Sequence, residues 1–185
     1  GSFILTGRKS YSTQIIKKFL NDETAPVDFY DFSFKANFSN PDFMDGGKFT
    51  FNGFFSGDKI KNNDPTIEDF KWSNNLLGMK WFQVGDSPLF YELGLSLSQF
   101  KGEVLPKLSD VLQSSNNVDD IQMHMDVTYM FDNKDEIGVG FHINSVKTEL
   151  FMENSLGVPV DLGSSSTNIS LYTKYKFMQW DFIGI

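Results

Sequence analysis

Apolar and polar residues alternate along this chain from end to end. In FYDFSFKANF (29–38), Tyr30, Phe32, Phe34, Ala36 and Phe38 share one side of an extended backbone. Phe29, Asp31, Ser33, Lys35 and Asn37 share the other. The same period of two predicts strands over 3–11, 29–38, 48–58, 68–82, 89–101, 121–130, 136–147 and 167–176, with a ninth over 180–185. Over 48–58, Phe49, Phe51, Gly53 and Phe55 oppose Lys48, Thr50, Asn52, Ser56 and Asp58, with Phe54 an exception. Over 89–101, Leu89, Tyr91, Leu93, Leu95 and Leu97 oppose Glu92, Gly94, Ser96 and Ser98. Met125 and Val127 then oppose His124 and Asp126; Phe141 opposes His142; Leu171 opposes Lys174. The stretch 68–82 is less regular, although Phe70, Trp72, Leu76 and Phe82 share a face. One short helix, STQIIKKFL (12–20), is expected within a loop.

The links alternate between long and short. Residues 13–28, 59–66, 102–120 and 149–165 make long connections, whereas 39–47, 84–88, 131–135 and 177–179 make tight ones. In an antiparallel meander this puts the turns on one rim and the loops on the other. A soluble sandwich also alternates, because one face packs on the core and the other meets water. Two features favour a membrane barrel. Runs of about nine to eleven residues match a strand crossing a bilayer at a tilt near 45°, and short links on one rim with long loops on the other are the barrel asymmetry. Trp81, Phe82, Tyr129, Phe131, Trp180, Phe38 and Phe49 all border tight links, where an interfacial girdle would place its rings. The competing reading is that these rings plug the bottom of a soluble barrel.

Composition adjusts the picture. Twenty Phe, six Tyr and three Trp sit in a chain whose mean hydropathy is only −0.27, because the rings are interleaved with polar residues. No window approaches the roughly 18 apolar residues of a membrane-spanning helix. Cysteine is absent, which excludes disulfides and thiolate chemistry. A net charge of −8 without a basic stripe argues against a nucleic-acid partner. The end MQWDFIGI stops inside an alternating run, so the chain reads as an excerpt of a longer wall.

Four stretches in order, GSFILTGRKSYS, FYDFSFKANF, FNGFFSGDKI and FKWSNNLLGMKWF, resemble consecutive barrel strands of TonB-dependent outer-membrane receptors, the Bacteroidetes type most of all. The resemblance implies an all-β antiparallel meander. It would be part of a transmembrane barrel of about 22 strands, with residues 1–185 covering roughly the third to the eleventh. It further implies a plug domain preceding the barrel, and a periplasmic TonB-type energy transducer that pulls on a segment near the N-terminus. The expected place is the bacterial outer membrane, the expected role active uptake. The ligand, whether glycan, siderophore or peptide, is not readable, and a surface lipoprotein is a further candidate partner. The alternative is a self-contained eight-stranded barrel, either an outer-membrane adhesion protein or a soluble lipid-binding one.

On the barrel reading, the polar face looks into the lumen and towards a plug. Its candidate residues are Arg8, Asp31, Lys35, Glu92, His124, Asp126, His142 and Lys174, with Lys48 on the same side. Phe32, Phe34, Phe51, Leu93, Leu95, Met125, Val127, Phe141 and Leu171 are expected to face lipid. Loop residues 102–120 and 149–165 are the expected contacts for ligand or partner. The bland reading of each lumen charge is a solvated group paired with its neighbour. His124 and His142 become cross-strand neighbours if their hairpin pairs in register, and water-bonded histidines are commoner than metal ligands there. DNKDE (132–136) lacks the glycine of a calcium loop and reads as turn chemistry. SSNNVDD (114–120) is a better cation candidate, still weaker than plain solvation. No catalytic constellation is present, so neither an enzyme nor a cofactor is expected.

Overall fold

A computed structural model describes residues 1–10, 18, 27–40, 47–85, 88–108, 111–153, 156–179 and 183–184. Eight strands form one antiparallel sheet: β1 (Ser2–Lys9), β2 (Val27–Ser39), β3 (Lys48–Ile60), β4 (Asp69–Val84), β5 (Leu89–Leu105), β6 (Ser114–Met130), β7 (Glu136–Glu153) and β8 (Pro159–Lys176). Each pairs with its sequence neighbour, so the sheet is a plain meander with β1 and β8 as its edges. The expected helix over 12–20 lies outside the described residues except for a helical Lys18. Of the expected ninth strand, only β10 (Ile183–Gly184) is described, paired with β9 (Met178–Gln179). The rest of 180–185 lies outside the described residues.

The strands depart from their sequence-read limits mainly at the long-loop ends. β6 begins at Ser114 instead of near 121, β7 continues to Glu153, and β8 begins at Pro159 instead of near 167. Of the loops expected over 102–120 and 149–165, the described residues outside strands are only 106–108, 111–113 and 156–158. SSNNVDD and GSSST are poor in β-branched and aromatic residues and carry no apolar alternation. Each is held extended by its neighbour: Asn116 lies opposite Gly102 and Leu150, and Ser165 opposite Lys147. Ladder pairing decides these segments where side-chain pattern does not.

The sheet is a single layer. Among the described residues no apolar side chain is buried, and large apolar groups such as Phe3, Leu97, Ile169 and Leu171 are exposed. An isolated sheet must cover its apolar face with another layer, and the register shows where that face is. One row runs Phe38, Phe49, Trp81, Leu93, Met125, Phe141, Leu171 across seven strands; the next runs Ala36, Phe51, Met79, Leu95, Met123, Ile143, Ile169. On the opposite side, Asn37, Thr50, Lys80, Gly94, His124, His142 and Ser170 form one row, and Lys35, Asn52, Gly78, Ser96, Gln122, Asn144 and Asn168 another. From Ile121 to Tyr129, at about 3.3 Å per residue, the apolar side of β6 extends roughly 26 Å, or about 19 Å of height at a 45° tilt.

Candidate functional site: the polar face and its loop rim

All eight candidate lumen residues lie on one face, because the register brings their rows together. Arg8 sits opposite Asp31 and binds it twice, at 2.8 and 3.0 Å. Farther along, Lys80 donates to Glu92 at 2.9 Å, and His124 Nε2 lies 3.5 Å from the other Glu92 oxygen. His124 and His142 are directly opposed, as an in-register hairpin requires. His124 leans across Gly94, however, where an added Cβ would come within 2.0 Å of its ring, and so meets Glu92. Asp126 accepts a hydrogen bond from the Tyr172 hydroxyl, whose ring lies over Gly140. Lys174 lies over Gly138 in the same way. Lys35 stands opposite Asn52 and Ile4. Glu92, Asp126, Lys174 and the Phe82–Phe90 stack border a small hollow of about 170 Å³ near the tight-turn rim.

The tight-turn rim is ringed on the apolar side. Phe49 lies opposite Phe38 and stacks on Trp81 with ring centres 6.3 Å apart; Tyr129 meets Phe131 edge-on at 4.9 Å; Tyr175 stacks on Phe177. Phe82 departs from the expected girdle, since β4 turns it to the polar face against Phe90. Trp180 lies outside the described residues. The DNKDE segment closes as a turn: the Phe131 amide donates to the Asp135 carbonyl, the Lys134 amide donates to the Phe131 carbonyl, Asn133 binds Asp135 twice, and Lys134 takes a left-handed φ of 67°.

Polarity reverses towards the long-loop rim. The apolar side turns charged there, with Lys71, Lys101 and Glu103 in contact and Lys147 bonded to Glu149. Ile60, Phe70, Trp72, Phe100, Val104 and Leu150 now occupy the otherwise polar face, around a cavity of about 500 Å³. The two adjoining loops are stitched together beyond it. Lys107 bridges Asp69 (2.6 Å) and the Asn62 carbonyl, and the Leu108 amide donates to the Pro65 carbonyl. The Lys107 ammonium and the Asn62 amide hold the Asp69 carboxyl below the usual carboxylate range, and the Thr66 hydroxyl and amide do the same for Asp64.

SSNNVDD does not converge on a cation. It is the start of β6, so Asp119 and Asp120 point to opposite faces. Asp119 accepts from Gln99 and Asn117, Asp120 from Gln122 and Asn144. Among the described residues, no three His, Asp or Glu side chains gather as a metal site. The pattern overlooked Tyr172, Lys80 and the aromatic cavity. The cavity had a signal: Phe70 and Trp72 have the parity of polar Asn74, whereas Leu77, Met79 and Trp81 have the other.

No family model matches the chain, and no curated protein matches it. Among solved structures it is similar to the ferric yersiniabactin uptake receptor FyuA from Yersinia pestis, with 15% identity and a TM-score of 0.45 over 81% of this chain. The match covers 25% of that receptor, so the chain spans about a quarter of its length.

Proposed function

We propose that residues 1–185 are part of the wall of a TonB-dependent outer-membrane barrel, of the type found in Bacteroidetes-like bacteria, which takes up a glycan, siderophore, peptide or similar ligand. The observation that carries this reading is the pair of seven-strand apolar rows on a sheet that has no buried apolar core among the described residues, backed by rows of charged and amide side chains. Water does not suit the first face, and a packed protein layer does not suit the second. A closed wall in lipid suits both, because strand pairing satisfies the backbone while side chains sort by face. Phe32, Phe34, Phe51, Leu93, Leu95, Met125, Val127, Phe141 and Leu171 then meet lipid. Arg8, Asp31, Lys35, Glu92, His124, Asp126, His142 and Lys174 meet lumen water or a plug. A transducer acting on that plug and a surface lipoprotein above the loops are the partners this reading brings.

The self-contained eight-stranded barrel is less favoured. Closure would pair β1 with β8, whereas among the described residues both are unpaired edges. Spin labels test the wall directly. Labels at Phe32 and Phe34 should show lipid contact, and labels at Ser33 and Asn37 should be accessible to water or pressed against a plug. Equal environments on the two faces overturn the assignment.

A further inference from the structure

The cavity at the long-loop rim is built differently from the rest of its face. One row crosses it as Trp72, Gly102, Asn116 and Leu150, giving an indole, a bare backbone floor, an amide and an aliphatic wall. Phe70 and Phe100 stand above and below on neighbouring rows. At about 500 Å³ it falls within the range of small-molecule sites. The two charged residues at its margin, Lys71 and Glu103, have the opposite parity, and on the other face Glu103 is paired with Lys101 at 2.7 Å and Lys71 at 3.6 Å, so a ligand meets no strong field in the cavity. One polar demand is left over. The Asn116 Oδ1 atom is shielded from water and has no hydrogen-bond partner among the described residues. Such an acceptor calls for a donor.

The three aromatic side chains lining it, Phe70, Trp72 and Phe100, favour a flat ring over a chain or a globular apolar group. The orphaned acceptor asks that ring for an N–H or O–H. The clasp made by Lys107 and Leu108 ties the loops rooted at Ile60, Phe70 and Val104, so the loop end of the cavity is set before any ligand arrives. We propose that this cavity binds a neutral aromatic ring carrying one hydrogen-bond donor, of the phenol or indole type. The inference rests on the barrel reading only for access, which would be from the long-loop side.

The test uses the intact detergent-purified protein and measures binding of phenol, indole and cyclohexanol by ligand-observed NMR. Phenol or indole should bind saturably, and cyclohexanol about ten-fold more weakly, the most an aromatic pair adds beyond area burial. Gly102→Leu should abolish binding. An added Cβ there meets only the Phe100 ring at 3.4 Å, an ordinary contact, so a larger side chain is directed into the cavity. Asn116→Ala should weaken binding about five-fold, the worth of one hydrogen bond. An unchanged thermal transition in Gly102→Leu shows that the fold is intact. Absence of saturable binding, equal binding of cyclohexanol, or binding indifferent to Gly102→Leu overturns the proposal. The spin-label result at Phe32 and Ser33 is independent of all three, so a failed cavity and a failed barrel are told apart.

Discussion

Glycine on the polar face acts as a seat for its neighbour's side chain. At Gly140 a Cβ would lie 2.5 Å from the Tyr172 ring and 2.6 Å from Asp126, so the absent side chain is what lets the phenol lie flat and reach the carboxylate. A single added methyl should push the ring off and break the bond. Gly140→Ala is therefore expected to cost about 1–2 kcal/mol, the range of a hydrogen bond to a charged group after partial exposure. Tyr172→Phe should cost a similar amount. The double variant should cost clearly less than the sum, because the second change removes a bond that is already gone. Urea unfolding of the four proteins in detergent supplies the cycle. Strict additivity would mean that the glycine and the tyrosine are unrelated. By contrast, Arg8 on the edge strand β1 forms a close pair with Asp31 on β2, and because the arginine side chain is largely exposed, water competes for the guanidinium.

The element that sets the shape of the loop rim is the clasp between the β3–β4 and β5–β6 connections. Its charged bond joins Lys107 to Asp69, while Asp64 caps its own turn through Thr66. Both carboxyls have lowered pKa values, from the Lys107 bond at Asp69 and the Thr66 bonds at Asp64. The sign follows: their contribution is complete above the ordinary Asp value of about 3.9 and is lost as pH falls through the lower folded values. Hydrogen exchange at the Leu108 amide, bonded to Pro65, should thus be steady from pH 7 to 5 once corrected for intrinsic rate, and should show lost protection below about pH 4. Loss already between pH 7 and 5 would put the control elsewhere. Little of this clasp could be read beforehand. Alternation in FYDFSFKANF and YELGLSLS gives strands and faces directly, since each residue's side follows from its parity. Lys107 reaching Asp69, and polar SSNNVDD lying in a strand, depend on partners far along the chain. The aromatic cavity was half visible, because Phe70 and Trp72 break the parity of β4, but only the register places Gly102 and Asn116 beside them.

At the scale of the whole sheet, the two faces make opposite demands on solvent, and that contrast can be measured with one residue from each. Leu95 lies mid-row between Met79 and Met123, and Ser96 lies between Gly78 and Gln122 on the other side. If the apolar rows form a lipid-facing band, Leu95→Arg puts a charge near mid-membrane and should destabilise the folded protein in lipid vesicles by about 2–4 kcal/mol. Ser96→Arg, directed to a face already occupied by Lys35, Lys80 and His124, should change stability by less than about 0.5 kcal/mol, as a solvated substitution does. The prediction is a difference between adjacent residues of β5, so changes in strand propensity or expression affect both arms alike. A soluble sheet gives the reverse ordering or none, because Leu95 is already 38% exposed and an arginine there would simply enter water. Equal, small effects at both positions would therefore remove the membrane from the account while leaving the meander and its register untouched.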